Sequence, residues 1–192
     1  MALPQPQQWT VQDYLDYERE AEARHELVAG QIYAMAGASE RHNQIASALS
    51  FLLYGQFVER PCQVFQSDMR VAAAEDAFFY PDLVVVCGEA HYSDKARDTL
   101  LNPAAIIEVL SPSTEDFDRG RKFKLYRGIS SLNDYLLVSQ KQILIEHYSR
   151  QPQGSWVLRD YSQSDSRIDL PSIHCTLSLS AVYQRVNFQD ES

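Results

Sequence analysis

Basic residues are in short supply in this chain: Lys and Arg number 17 against 26 Asp and Glu, a formal charge of −9. That balance excludes a protein that coats nucleic acid through its overall field, so any grip on phosphates must come from a local patch. Cysteine is scarce as well. Cys62, Cys87 and Cys175 are odd in number, far apart in the chain and without C-x-x-C spacing, so neither a disulfide framework nor a zinc ribbon is expected. No apolar segment approaches the roughly 20 residues that a membrane span needs, and the opening MALPQPQQW lacks the basic start and apolar run of a secretory signal. The expectation is a soluble cytoplasmic protein with no membrane partner. Internal repeats and low-complexity linkers are absent too. Ser111 and Ser113 lack the small-residue elbow of a hydrolase nucleophile, and His25, His91, His147 and His174 show no metal-ligand spacing.

What is present suits one globular domain over 1–192: 192 residues, 45% of them apolar. Thr10 is placed to cap a short helix carrying Val11, Tyr14 and Leu15. In HELVAGQIYAM two apolar arms flank Ala29-Gly30 as a hairpin. Ser39 caps the strongest helical pattern, with Ile45, Ala48, Leu49, Leu52 and Leu53 on one side and Pro61 beyond its end. CQVFQSDMRVA alternates as a strand, AEDA reads as a turn, and FFYPDLVVVCG is a nearly continuous β-branched and aromatic run. After the irregular EAHYSDKARDTLLNP come the strand AAIIEVL, the turn SPST and a helical segment through Phe123, Tyr126 and Ile129. DYLLVS, QILIEHYSR and SWVLRDYS follow as strands, and a short helix around LSLSAVYQRV closes the chain. This order predicts an α/β, mixed α+β fold: a central mixed β-sheet flanked by helices, with an N-terminal β-hairpin.

Two acids stand in apolar surroundings. Glu108 interrupts AAIIEVL, and Asp82 follows Pro81 directly before LVVVC. An ionised carboxylate buried without a partner costs several kcal/mol, roughly, and two of them within a few Å repel unless a proton or cation lies between. If the strands are neighbours, a shared Mg²⁺, which favours oxygen ligands, resolves both problems. The competing assignment has Asp82 capping a Pro-Asp turn and Glu108 paired with an arginine. Close behind lies the densest basic cluster of the chain: Arg119, Arg121, Lys122, Lys124 and Arg127. On a helix Lys122 sits one turn from Tyr126 and borders the apolar side, whereas Arg121 and Lys124 face elsewhere. The bland alternative is a solvated helix face.

The order of these residues resembles the PD-(D/E)XK nuclease superfamily. The fuller series HELVAGQIYAM, RHNQIASAL, YPDLVVV, IIEVLSPST, DRGRKFKLY and YLLV is similar to its Uma-type branch of restriction-endonuclease-like domains, over a core of about residues 10–185. The resemblance implies a restriction-endonuclease-like core. It makes Asp82 and Glu108 metal ligands, with the backbone carbonyl of Val109 as a third. The superfamily's lysine normally follows its acid by two residues, but that position here is Leu110; the branch resembles a version in which the lysine has moved to the next helix, which points to Lys122 and leaves Lys124 as the competitor. Glu26 matches the hairpin acid that completes the cluster, and His42 matches the branch's helix-start histidine.

Together these readings predict a Mg²⁺-dependent endonuclease, with Mn²⁺ as a substitute, that hydrolyses phosphodiester bonds in DNA. Its catalytic residues would be Asp82, Glu108, Lys122 and Glu26. The competing expectation is a nuclease-fold binding or assembly module without turnover, favoured by Leu110 and by the charge of −9. A homodimer is expected, since restriction-type nucleases act on two strands and symmetric dimers are the commonest oligomer.

Overall fold

A short helix and a β-hairpin start the fold in the computed structural model, which describes residues 8–188, so that most of the opening MALPQPQQW lies outside it. Thr10 caps α1 (Val11–Glu20) by accepting from the Asp13 amide. The strands β1 (His25–Val28) and β2 (Gln31–Ala34) are joined at Ala29 and Gly30, which both take positive φ, 52° and 77°. Two successive positive values make the turn whose twist matches paired strands. Ser39 then accepts from the His42 amide and starts α2 (Glu40–Phe57), which buries Ile45, Leu49, Leu53 and Phe57.

The stretch expected as one strand, CQVFQSDMRVA, divides into β3 (Cys62–Gln66) and β4 (Arg70–Ala74), with a turn at Ser67 to Met69 sending them into different sheets. The next apolar run divides likewise into β5 (Ala77–Phe79) and β6 (Leu83–Cys87). Pro81, which has no N–H to give a ladder, lies at the break. A two-residue strand, β7 (Thr99–Leu100), emerges from the segment read as irregular, and β8 (Ala105–Leu110) follows with every residue buried. The basic helix is a composite: α3 (Glu115–Phe117), a π-helical turn over Asp118–Lys122, and α4 (Phe123–Tyr126). Then come β9 (Asp134–Ser139), β10 (Ile145–Arg150) and β11 (Trp156–Tyr161), as the alternation indicated. The expected C-terminal helix is mostly absent: Leu177 and Ser178 belong to β13 (Cys175–Ser178), which pairs with β12 (Arg167–Leu170), and only α5 (Leu179–Val182) is helical.

The mixed sheet has six strands in the order β11-β10-β9-β8-β6-β3, parallel only between β8 and β9. A second sheet, β2-β1-β5-β4-β7, which sequence patterning did not separate, makes the N-terminal hairpin part of a layer. Alternation along β8 sorts its side chains. Ala105, Ile107 and Val109 enter a core with α2, α5 and the β12-β13 hairpin, whereas Ile106 and Leu110 enter another with the second sheet and Tyr126. α1 lies on the far side of the second sheet, over Leu27 and Phe78.

One cysteine expectation is overturned. The β3-β6 register sets Cys62 opposite Cys87, and the two form a disulfide across the strands. Their separation of 25 residues along the chain concealed this, because the antiparallel return closes a distance that spacing in sequence does not measure. Cys175 is free and buried.

Candidate active site

The pairing of β6 with β8 sets Leu83 against Ile107, so one step further Asp82 meets Glu108 on the face turned to the second sheet. The amide of Asp82 donates to Glu108 Oε2 at 3.3 Å, and the amide of Val109 donates to Asp82 Oδ2 at 2.7 Å. Pro81 ends β5 and releases the chain just where Asp82 must turn inward, which ties the local sequence to the placement of the acid.

Lys122 reaches this pair from the π-helical turn. Its Nζ donates to Glu108 Oε1 at 3.0 Å and to Glu26 Oε1 at 2.9 Å, lies 3.6 Å from Asp118 Oδ1, and stands 5.2 Å from the centre of the Phe79 ring. The extra residue of a π-turn rotates the following side chains relative to an α-helix, and such turns recur at functional sites. Lys122 and Glu108 are 5% and 4% exposed, while Arg121 and Lys124 are exposed. Of the two lysines, Lys122 is therefore the one brought to the acids.

Glu26, from β1, also accepts from the Tyr80 amide at 3.3 Å, so the hairpin acid joins the cluster. His42, at the start of α2, brings Nε2 to 3.1 Å from Asp82 Oδ2; a carboxylate only accepts, so the proton lies on Nε2. Its buried Nδ1 has no hydrogen-bond partner among the described residues.

Sequence reasoning missed two members. Asp118 is buried four residues before Lys122, and Tyr126 donates its hydroxyl to Glu108 Oε1 at 3.3 Å. The i, i+4 spacing of Asp118 and Lys122 was a usable signal for the first. Tyr126 gives no such signal, since helical periodicity reports burial and says nothing about where a hydroxyl ends.

Three carboxylates, Glu26, Glu108 and Asp118, thus gather around one ammonium, and Asp82 adjoins them through Glu108. Burial pushes the Glu108 carboxyl well above its usual range; Lys122 opposes this, and Asp118, Asp82 and Glu26 reinforce it. Asp118 is raised for the same leading reason, again against Lys122. Burial works against the charge of Lys122, but Glu108, Glu26 and Asp118 outweigh it and hold the ammonium above its ordinary pKa. Lys122 is consequently a fixed cation and hydrogen-bond donor, unsuited to act as a base.

This excess of negative charge, carried on oxygen donors that line a cavity of about 1000 Å³, fits a hard divalent cation. Among the described residues no group of three or more His, Cys, Asp and Glu forms a ready metal shell. The fit is therefore to an ion held by two carboxylates, a backbone carbonyl and water or substrate oxygens, as Mg²⁺ commonly is. The cavity wall also carries Arg41, Arg121 and Lys141.

Residues 11–181 match the family model Uma2, described as "Putative restriction endonuclease". The chain belongs to the Uma2 family. Two uncharacterized proteins of Synechocystis sp. are similar to it: one is 37% identical over 83% of this chain and 91% of its own length, the other 35% identical over 92% of each. The fold, at a TM-score of 0.76 and 18% identity, is like that of a crystal structure described as a "putative nuclease belonging to DUF820" from Anabaena variabilis, over 91% of this chain and 97% of that one. The architecture of this Uma2 chain is accordingly a restriction-endonuclease-like one, mixed α+β with helices flanking mixed sheets. Among the described residues no helix is long and apolar enough to cross a membrane.

Proposed function

We propose that this Uma2 protein is a Mg²⁺-dependent endonuclease that hydrolyses phosphodiester bonds in DNA, with Mn²⁺ able to substitute. The observation that carries the reading is the convergence of Lys122 on Glu108 and Glu26, with Asp82 directly across from Glu108. Asp82 and Glu108, with the carbonyl of Val109, would hold the ion. A divalent cation bound there supplies an acidified water and neutralises charge on the phosphate.

The protein's own groups do the rest. Lys122, permanently protonated, donates to a phosphate oxygen as negative charge builds in the transition state. Glu26 and Asp118 hold that ammonium in place from two different elements, one on β1 and one on the π-turn. His42 and the Val109 amide both bind Asp82 Oδ2, which fixes the carboxylate plane and directs Oδ1 to other partners. Arg41 and Arg121 along the wall attract the phosphates that flank the cleaved bond and so offset the protein's net charge, which repels DNA.

The assembly we infer is a homodimer through α2. After His42 that helix carries no charged side chain, and Phe51, Tyr54 and Val58 are 77%, 68% and 73% exposed along one stripe. Two copies of charge −9 repel wherever charged faces meet, so this uncharged stripe is where a second copy fits. Light scattering should report a dimer for the native chain and a monomer for Phe51→Glu; a native monomer would remove the dimer.

Cleavage of plasmid and linear DNA with Mg²⁺ or Mn²⁺ tests the enzyme. Activity should be present in the native protein and fall by roughly a hundredfold or more in Asp82→Asn and in Lys122→Met. Intact DNA in every case, together with no calorimetric binding of Mg²⁺ at millimolar concentration, would leave a nuclease-fold module without turnover.

A further inference from the structure

The opposite face of the six-stranded sheet holds a second cavity, of about 540 Å³, between the β9-β10-β11 edge and the β12-β13 hairpin. At its base His147 Nε2 lies 2.7 Å from Asp134 Oδ1, and Ser172 donates its hydroxyl to the other oxygen of Asp134. His147 and Asp134 are each 3% exposed. With Nε2 committed to the carboxylate, Nδ1 is the ring's one remaining polar atom, and it has no partner among the described residues. A buried polar atom without a partner costs free energy unless something else satisfies it.

The walls indicate what that something is. Strand pairing sets Arg159 beside His147, and Arg167 enters from β12. Both are exposed, and among the described residues neither forms an ion pair, in a protein with an excess of nine acidic charges. Asp134, the acid at the base, is already bound to His147 and Ser172, and Asp169 accepts from the Thr176 hydroxyl. Two unpaired guanidiniums exclude a metal cation and favour an oxyanion, which guanidinium binds bidentately.

We propose that this cavity is a phosphate-binding site, in which Arg159 and Arg167 clamp a phosphate group and His147 Nδ1 makes the inner contact. Nδ1 donates to a phosphate oxygen when the ring is protonated, or accepts from the hydroxyl of a phosphate monoester when it is neutral. Asp134 and Ser172 are positioning residues that fix the ring. The cavity is large enough for the phosphate and an attached group of nucleoside size. The site shares no side chain with the Asp82 cluster, so it stands or falls apart from the nuclease reading.

Calorimetric titration in EDTA with inorganic phosphate, a 5′-mononucleotide and a short DNA duplex tests it. The expected result is binding of at least one of these by the native protein, weakened roughly tenfold or more in Arg159→Gln/Arg167→Gln and unchanged in Lys95→Gln, an exposed position outside both cavities. The two arginines are exposed, so their replacement leaves the core intact. His147→Gln, which keeps an N–H for Asp134 and removes Nδ1, should also weaken binding while the far-ultraviolet spectrum is retained. Equal binding of phosphate and mononucleotide identifies free phosphate as the ligand, tighter mononucleotide binding identifies a nucleotide, and binding of the duplex alone identifies a nucleic-acid backbone. No binding of any ligand at millimolar concentration, or binding unaltered by the double substitution, overturns the proposal.

Discussion

Two clusters of charge flank the second sheet, and they are built on opposite principles. Around Arg70 the signs balance. Its guanidinium, 2% exposed, donates to Thr99 at 2.8 Å, to the Tyr80 hydroxyl at 3.2 Å and to Asp98 at 3.0 Å; Arg19 then donates to Asp98 at 2.9 Å and to Asp94 at 2.6 Å. Burial alone would raise the Asp98 carboxyl, but Arg19, Arg70 and Thr99 bring it below its ordinary value. Around Lys122 the signs do not balance, and Glu108 and Asp118 are pushed up instead. One cluster holds β4, β7 and α1 together without further help. The other is left short of positive charge, which is what the proposed Mg²⁺ would supply.

The largest break in this contrast comes from Lys122→Met. It leaves Glu26, Glu108 and Asp118 without the ammonium they share, and urea unfolding should show a loss of about 3–5 kcal/mol. Adding Mg²⁺ to the native protein should do the reverse, raising stability by about 2–3 kcal/mol at a hundredfold excess over its dissociation constant. That gain should vanish in Asp82→Asn and persist in Asp98→Asn, as thermal melts will show.

A smaller effect has a less familiar sign. Lys122 keeps Glu26 and Asp118 when Glu108 becomes neutral, so in EDTA Glu108→Gln should unfold at higher urea, by about 1 kcal/mol, even as it removes DNA cleavage. A clear loss of stability would show that Glu108 is a structural ion pair.

The smallest effect concerns acid. Because the folded carboxyl of Asp98 titrates below its unfolded value, its contribution is present above the ordinary carboxylate range and disappears as pH falls through the depressed folded value. Asp98→Asn should therefore flatten the acid side of the stability curve and leave the neutral plateau with only a small loss.

Much of this site could be read in advance because its members violate the local pattern. Glu108 is conspicuous in an apolar strand, and Asp82 is conspicuous between Pro81 and LVVVC. Glu26 and Lys122 stood out less and needed the order of neighbouring blocks. Asp118 and Tyr126 were passed over, since an acid among arginines and a tyrosine on an apolar helix face have ordinary explanations. Elements with strong caps or turns, such as Thr10, Ser39 and Ala29-Gly30, were legible for local reasons. The splitting of CQVFQSDMRVA and FFYPDLVVVCG between two sheets was not, because alternation reports which side of a strand is buried and never which sheet it joins.

By itself the sequence determined the alternation that turns Glu108 inward, the proline that frees Asp82 from its strand, and the helix that carries Lys122. Those follow from backbone periods and from a missing N–H, which act over a few residues. The tertiary structure alone decided that Asp82 lies opposite Glu108, that a π-turn aims Lys122 at both Glu108 and Glu26, and that Cys62 meets Cys87. Register and sheet membership depend on contacts between segments tens of residues apart, where packing of whole faces outweighs any local preference.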